Sequence, residues 1–126
     1  MKTLRLDLDG KYGLSTFLER TWILKYLGVK VVGVKIHHTM NGFHARLICD
    51  NRIDDVKAAF IQALLGSDYR RELSNLLKIE RGSKNWNVLF KQKWKTDRLG
   101  NEVLVSKEIY DRELSEKVKR AIQLGE

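Results

Sequence analysis

Residues 4–10, LRLDLDG, alternate leucine with charged side chains without a break. Side chains of an extended strand point alternately to its two sides. Leu4, Leu6 and Leu8 therefore share one face, and Arg5, Asp7 and Asp9 share the other. A chain that begins this way needs an apolar layer on one side of a sheet, and it places two carboxylates on the opposite side. Those carboxylates are either a solvated strand face or the beginning of a metal site.

Later segments supply partners for this strand. VKVVGVKIHH (29–38) is rich in β-branched residues, and GFHARLICD (42–50) alternates, with Phe43, Ala45, Leu47 and Cys49 inward and His44 and Arg46 outward. Asn41-Gly42 between them is a hairpin signal. A helix is expected over 15–27, with Thr16 and Glu19 in capping-box spacing, Gly28 as its stop, and Phe17, Leu18, Trp22, Leu24 and Leu27 on its buried face. Further helices are expected from Asp54 to Leu65 and from Ser67 to about Leu77. Strands over 86–95 and 102–106 and a last helix capped by Ser106 complete the pattern. The order β-α-β-β-α-(α)-β-β-α predicts an α+β fold: a ferredoxin-like or RRM-like split β-α-β antiparallel sheet, helices on one face, then a hairpin strand and helix. The whole chain, 1–126, is expected to be one domain, with a core over about 3–95 and a C-terminal strand and helix over about 102–124.

Composition narrows the function. Twenty-four Lys and Arg against sixteen Asp and Glu give a net charge of +8, which favours polyanionic partners, nucleic acid first among them. One cysteine, Cys49, excludes an intrachain disulfide and a cysteine-rich zinc site. With neither a membrane-length apolar run nor a signal-peptide pattern, a cytoplasmic protein without membrane contact is expected. Abundant Lys, Arg and Glu point toward a hot habitat, and the absence of proline points against it. Neither a nucleophile motif nor a Walker loop is present.

In the split fold the strands carrying Asp7 and His44 are central neighbours, so Arg5, Asp7, Asp9, His44 and Arg46 share one surface. Two aspartates can hold Mg²⁺ or Mn²⁺, and a histidine and arginines can contact phosphate oxygens. LDLDG resembles the Asp-hydrophobic-Asp motif of the archaeo-eukaryotic primase superfamily, and HTMNGFHARL is similar to its glycine-aromatic-histidine motif. That resemblance implies an RRM-like core, Asp7 and Asp9 as metal ligands, and His44 as the nucleotide contact in catalysis. LLGSDYRREL through NVLFKQK resembles a module of small archaeal and viral proteins, and length and texture are similar to proteins of crenarchaeal spherical viruses of the Pyrobaculum type. This implies an accessory or replication role in the host cytoplasm. The chain departs from the primase pattern in lacking a third carboxylate over 86–95; Ser74 stands where the related module has an aspartate, leaving Asp68 and Glu72 as substitutes.

A second surface lies in NWNVLFKQKWKTDR. Lys91, Lys93 and Lys95 fall on one strand face, Arg98 follows, and Trp86 and Trp94 bracket them. Lysines near exposed aromatics suit single-stranded nucleic acid; a lysine-protected edge strand with both tryptophans in the core is the alternative. The expected function is nucleic-acid binding without chemistry through Arg5, Arg46, Lys91, Lys93, Lys95, Arg98 and Trp94. The alternatives are a metal-dependent nucleotidyl- or phosphoryl-transfer enzyme using Asp7, Asp9 and His44, and a homodimer joined by the apolar side of the last helix.

Overall fold

A computed structural model describes residues 1–124. Its elements are β1 (Lys2–Asp9), α1 (Gly10–Arg20), α2 (Trp22–Tyr26), β2 (Val31–His38), β3 (Gly42–Cys49), α3 (Asp55–Leu64), α4 (Tyr69–Glu80), β4 (Gln92–Thr96), β5 (Glu102–Lys107), β6 (Ile109–Tyr110) and α5 (Arg112–Leu124). β1, β3, β2 and β6 form an antiparallel sheet in that order, while β4 and β5 form a separate ribbon. β3 runs antiparallel between β1 and β2, as the split β-α-β pattern requires. The fold is α+β in a ferredoxin-like arrangement with a C-terminal helix.

The alternation in β1 and β3 has its expected consequence. Leu4, Leu6, Leu8, Ala45, Leu47 and Cys49 are buried with Phe17, Leu24, Ala58, Ala59, Ile61 and Leu65 in one core. Burial pushes the Cys49 thiol up to about 11, so the cysteine is an inert apolar filler. Asp54 and Asp68 cap α3 and α4 by accepting from the Lys57 and Arg70 amides at 2.8 and 3.0 Å.

Several expectations need correction. The first helix begins at Gly10, directly after β1, so Thr16 and Glu19 lie inside it and form no capping box; it breaks at Thr21. Trp22 is 60% exposed and Leu18 is also exposed, so neither belongs to the buried face. The hairpin expected at Asn41-Gly42 forms between β2 and β3, but Gly42 is not at its tip: Thr39 N–H bonds Gly42 O at 2.9 Å across it. Gly42 is required for space instead, since a Cβ there would strike the Leu8 carbonyl and the Gly10 amide. α5 starts after Asp111, whose carboxylate accepts from the Leu114 amide at 2.9 Å, whereas Ser106 belongs to β5. The apolar side of α5 packs on the sheet through Leu114, Val118 and Ile122, and Ser115 Oγ accepts from the Ile36 amide at 2.8 Å. That side is therefore unavailable as the expected homodimer contact.

The strand expected over 86–95 forms only over Gln92–Thr96 and does not lie beside β1. Side chains satisfy the β1 edge in its place. Arg5 N–H donates to Gln62 Oε1 at 2.9 Å and Asp7 N–H to Ser67 Oγ at 3.0 Å. Arg71 Nη1 donates to Arg5 O at 2.9 Å, and Asp68 N–H to Asp7 O at 2.8 Å. Buried Glu72 organises this set by accepting from Gln62, Ser67, Asn75 and Arg71. Asn87 joins it by bonding both Gln62 and Arg71, and Trp86 enters the core. Truncating Gln62 strands a buried amide, so Gln62→Ala should lower stability by about 2–3 kcal/mol in chemical denaturation and speed hydrogen exchange of the Arg5 amide; an unchanged Arg5 exchange rate would contradict the assignment.

Candidate functional site

On the sheet face away from the core, β1 pairs Asp7 with His44, and β2 pairs His37 with the same histidine. The chain after α4 folds over this face, so it is not open as the strand pattern alone implies. Asp7, Asp9, Thr39, Asn41, His44, Asp68, Phe90, Lys93 and Ser106 enclose a cavity of about 150 Å³. Gly10 N–H bonds Asn41 O at 2.8 Å, tying the end of β1 to the β2–β3 loop and setting the cavity rim.

The His44 side chain is only 10% exposed. Its Nδ1 lies 2.7 Å from Glu108 Oε1, and a carboxylate there fixes the proton on Nδ1. Nε2 lies 3.7 Å from Asp7 Oδ1, beyond hydrogen-bond reach. The same Glu108 oxygen accepts from Arg46 Nη2 at 2.7 Å, while Arg46 Nη1 is 3.2 Å from His37 Nδ1. Arginine only donates, so His37 Nδ1 accepts and that ring is neutral. Its pKa is lowered, by burial first and by Arg46 as well, against the pull of Glu108. Asp7 is raised: burial is the largest cause and Asp68 adds to it, while His44, Arg71 and Lys93 oppose. Burial raises Glu108 too, but hydrogen bonds from Arg46 and His44 outweigh it and hold the carboxyl below its ordinary range.

These contacts sort the expected residues. Asp7, Asp9 and His44 do meet, at one cavity. Arg46 is committed to Glu108 and His37, and Arg5 bonds Asn87 O at 3.3 Å, so both arginines of the sheet are engaged in contacts within the protein. Lys91, Lys93, Lys95, Arg98 and Trp94 are all exposed on the β4–β5 arm. Lys93 also reaches the cavity wall. Cross-strand pairs put Lys93 and Lys95 with Ser106 and Val103 on one face of the arm, and Trp94 with Leu104 on the other. Trp94 is 53% exposed.

The residue that sequence reading missed is Glu108. It follows β5 and its side chain is only 6% exposed. Its position directly after the strand-like run EVLVSK was the one available signal. Asp68 becomes a cavity residue because its amide caps the β1 edge. The chain matches no family model, curated protein or solved structure.

Among the described residues no three or more His, Cys, Asp or Glu side chains are grouped to hold one ion. A Mg²⁺ or Mn²⁺ held by one or two carboxylates and completed by water and phosphate needs no such group, and Asp7 and Asp9 offer hard oxygen donors for it. Lys93 on the same wall acts electrostatically on the Asp7 carboxylate and would compete with an ion there.

Glu108→Gln removes the charge that Arg46 and His44 share and should destabilise the protein by about 2–3 kcal/mol at neutral pH. Because the native Glu108 pKa is depressed, its contribution is full above the ordinary glutamate value of 4.5 and is lost as pH falls through the native value. Denaturation of both proteins from pH 7 to pH 3 should show the gap closing below pH 4.5; a constant gap would separate Glu108 from the ion pair.

Proposed function

We propose that this is a nucleic-acid-binding protein whose contact surface is the β4–β5 arm and whose core serves as its support rather than as a reaction centre. The observation that carries this reading is the exposure of the entire arm from Lys91 to Leu104, with Lys91, Lys95 and Arg98 held outside the core. A two-stranded ribbon is marginal in water by itself. This one carries Lys91, Lys93, Lys95, Arg98 and Lys107 against only Asp97 and Glu102, a charge excess suited to phosphate. The sheet arginines serve the fold: Arg46 and Arg5 hold the segments from which the arm emerges. An accessory role in replication, in an archaeal or viral setting, is compatible with such a module.

Titration of fluorescently labelled oligonucleotides, read by anisotropy across a salt series, tests this. Affinity should fall steeply with salt and persist in chelator. Replacing Lys91, Lys93 and Lys95 together by glutamine should weaken binding more than about tenfold and flatten the log–log salt slope by about 3. Equal affinity in the triple variant would remove the arm as the contact surface.

The cavity favours a second reading, metal-dependent nucleotidyl or phosphoryl transfer. Asp7 and Asp9 would hold Mg²⁺ or Mn²⁺, which would stabilise charge on a transferring phosphoryl group, and Nε2 of His44 would contact a phosphate oxygen. Mn²⁺ titration followed by calorimetry decides it: saturable binding that disappears in Asp7→Asn/Asp9→Asn supports the reading, and heat indistinguishable from that of the variant removes it.

A further inference from the structure

We infer that the arm is a DNA-bending device, with Leu99 at its tip as an apolar wedge that enters a base step of duplex DNA. The inference rests on the nucleic-acid reading and names its substrate. Leu99 is 85% exposed, in a turn where polar residues are the rule. The turn is built to hold it there. Asp97 N–H bonds Asn101 O at 2.8 Å and Gly100 N–H bonds Asp97 O at 3.2 Å. The Asp97 carboxylate accepts from the Leu99 and Asn101 amides at 2.9 and 2.8 Å. Gly100 closes the loop at φ +84°, a conformation that disfavours a side chain. A hydrogen-bonded knot thus presents one bare aliphatic side chain beyond the last paired residues, with Arg98 next to it.

The arm behind the tip fits a groove better than a flat strand of bases. Its lysines and Trp94 lie on opposite faces, so a single strand cannot meet phosphate contacts and a stacking ring on the same side. A duplex groove flanks an inserted ribbon with phosphates and bases together. Five residues of β4 span about 17 Å, half a helical turn of B-form DNA, so the base of the arm can rest on the backbone while the tip reaches a base step. Duplex RNA is disfavoured because its minor groove is wide and shallow, so it does not hold an inserted tip between close phosphate walls. Leucine is among the side chains that open base steps from the minor groove and kink the helix, and Arg98 is placed to contact the groove edge.

The test is one titration with two readouts: anisotropy for binding, and resonance energy transfer between the ends of a duplex of about 30 base pairs for bending. Saturating wild-type protein should raise the transfer efficiency. Leu99→Ser should still bind, with affinity reduced several-fold, and should lose that rise. Lys91→Gln/Lys95→Gln should bind more weakly yet restore the rise once saturated. Saturated binding with no change in transfer, binding to single strands alone, or full bending by Leu99→Ser would each overturn the wedge while leaving nucleic-acid binding intact. Retained bending in Leu99→Ser with a fall in sedimented mass would assign the leucine to self-association and also overturn it. Absence of binding to any oligonucleotide would overturn the nucleic-acid reading and the wedge together.

Discussion

The free edge of β1 must be satisfied by something, because its amides and carbonyls are removed from water. In this chain Gln62, Ser67, Arg71 and the Asp68 amide do it, gathered around buried Glu72. A further strand beside β1 would supply the same donors and acceptors from one backbone. Supplying them from α3 and α4 leaves the chain after α4 without a place in the sheet. It anchors through Trp86 and Asn87, crosses the polar face, and continues as the ribbon. On the far side, β2 beyond its two residues paired with β6 is treated alike: Ser115 bonds the Ile36 amide, and Asp111 N–H bonds the Ile36 carbonyl at 2.9 Å. The open stretches of β1 and β2 are thereby blunted against pairing with another chain.

The same displacement creates the cavity. Asp7, Asp9 and His44 would lie on an ordinary sheet surface if nothing crossed it; Phe90, Lys93 and Ser106 close over them. Enclosure then sets the electrostatics. Asp7 is raised because burial exceeds the help from His44, Arg71 and Lys93, and Glu108 is lowered because its two donors exceed burial. Two carboxylates on opposite sides of one imidazole are thus driven in opposite directions. Such separation is common where acid–base or ligand chemistry occurs, although structural ion pairs produce it too.

Much of the fold was legible because period-two alternation leaves little freedom. The inward set Leu4, Leu6, Leu8, Phe43, Ala45, Leu47 and Cys49 follows from spacing, as does the meeting of Asp7 with His44. What escaped was tertiary. WNVLFKQKWK reads as one strand because its apolar and β-branched content is local information, but half of it is consumed by Trp86 burial and Asn87 bonding, which depend on residues far away in sequence. Glu108 escaped for the same reason: its partners lie on β3, and charge alone does not distinguish a pinned carboxylate from a solvated one. The lysines of the arm were legible as a basic face, while Leu99 was not, since an exposed leucine in a turn carries no periodic signal.

Glu108 also defines a mechanical relation. It stands immediately beyond β5, and its amide bonds Lys91 O at 2.9 Å on the chain entering β4. Its carboxylate is fastened to the sheet floor by Arg46 and His44. The ribbon is therefore riveted to the sheet at its base, where Ser106 Oγ also accepts from the Met40 amide at 3.2 Å, rather than joined by a loose strap. Load applied at the tip acts about that fulcrum, and the first ring to feel the torque is His44, at the wall of the cavity.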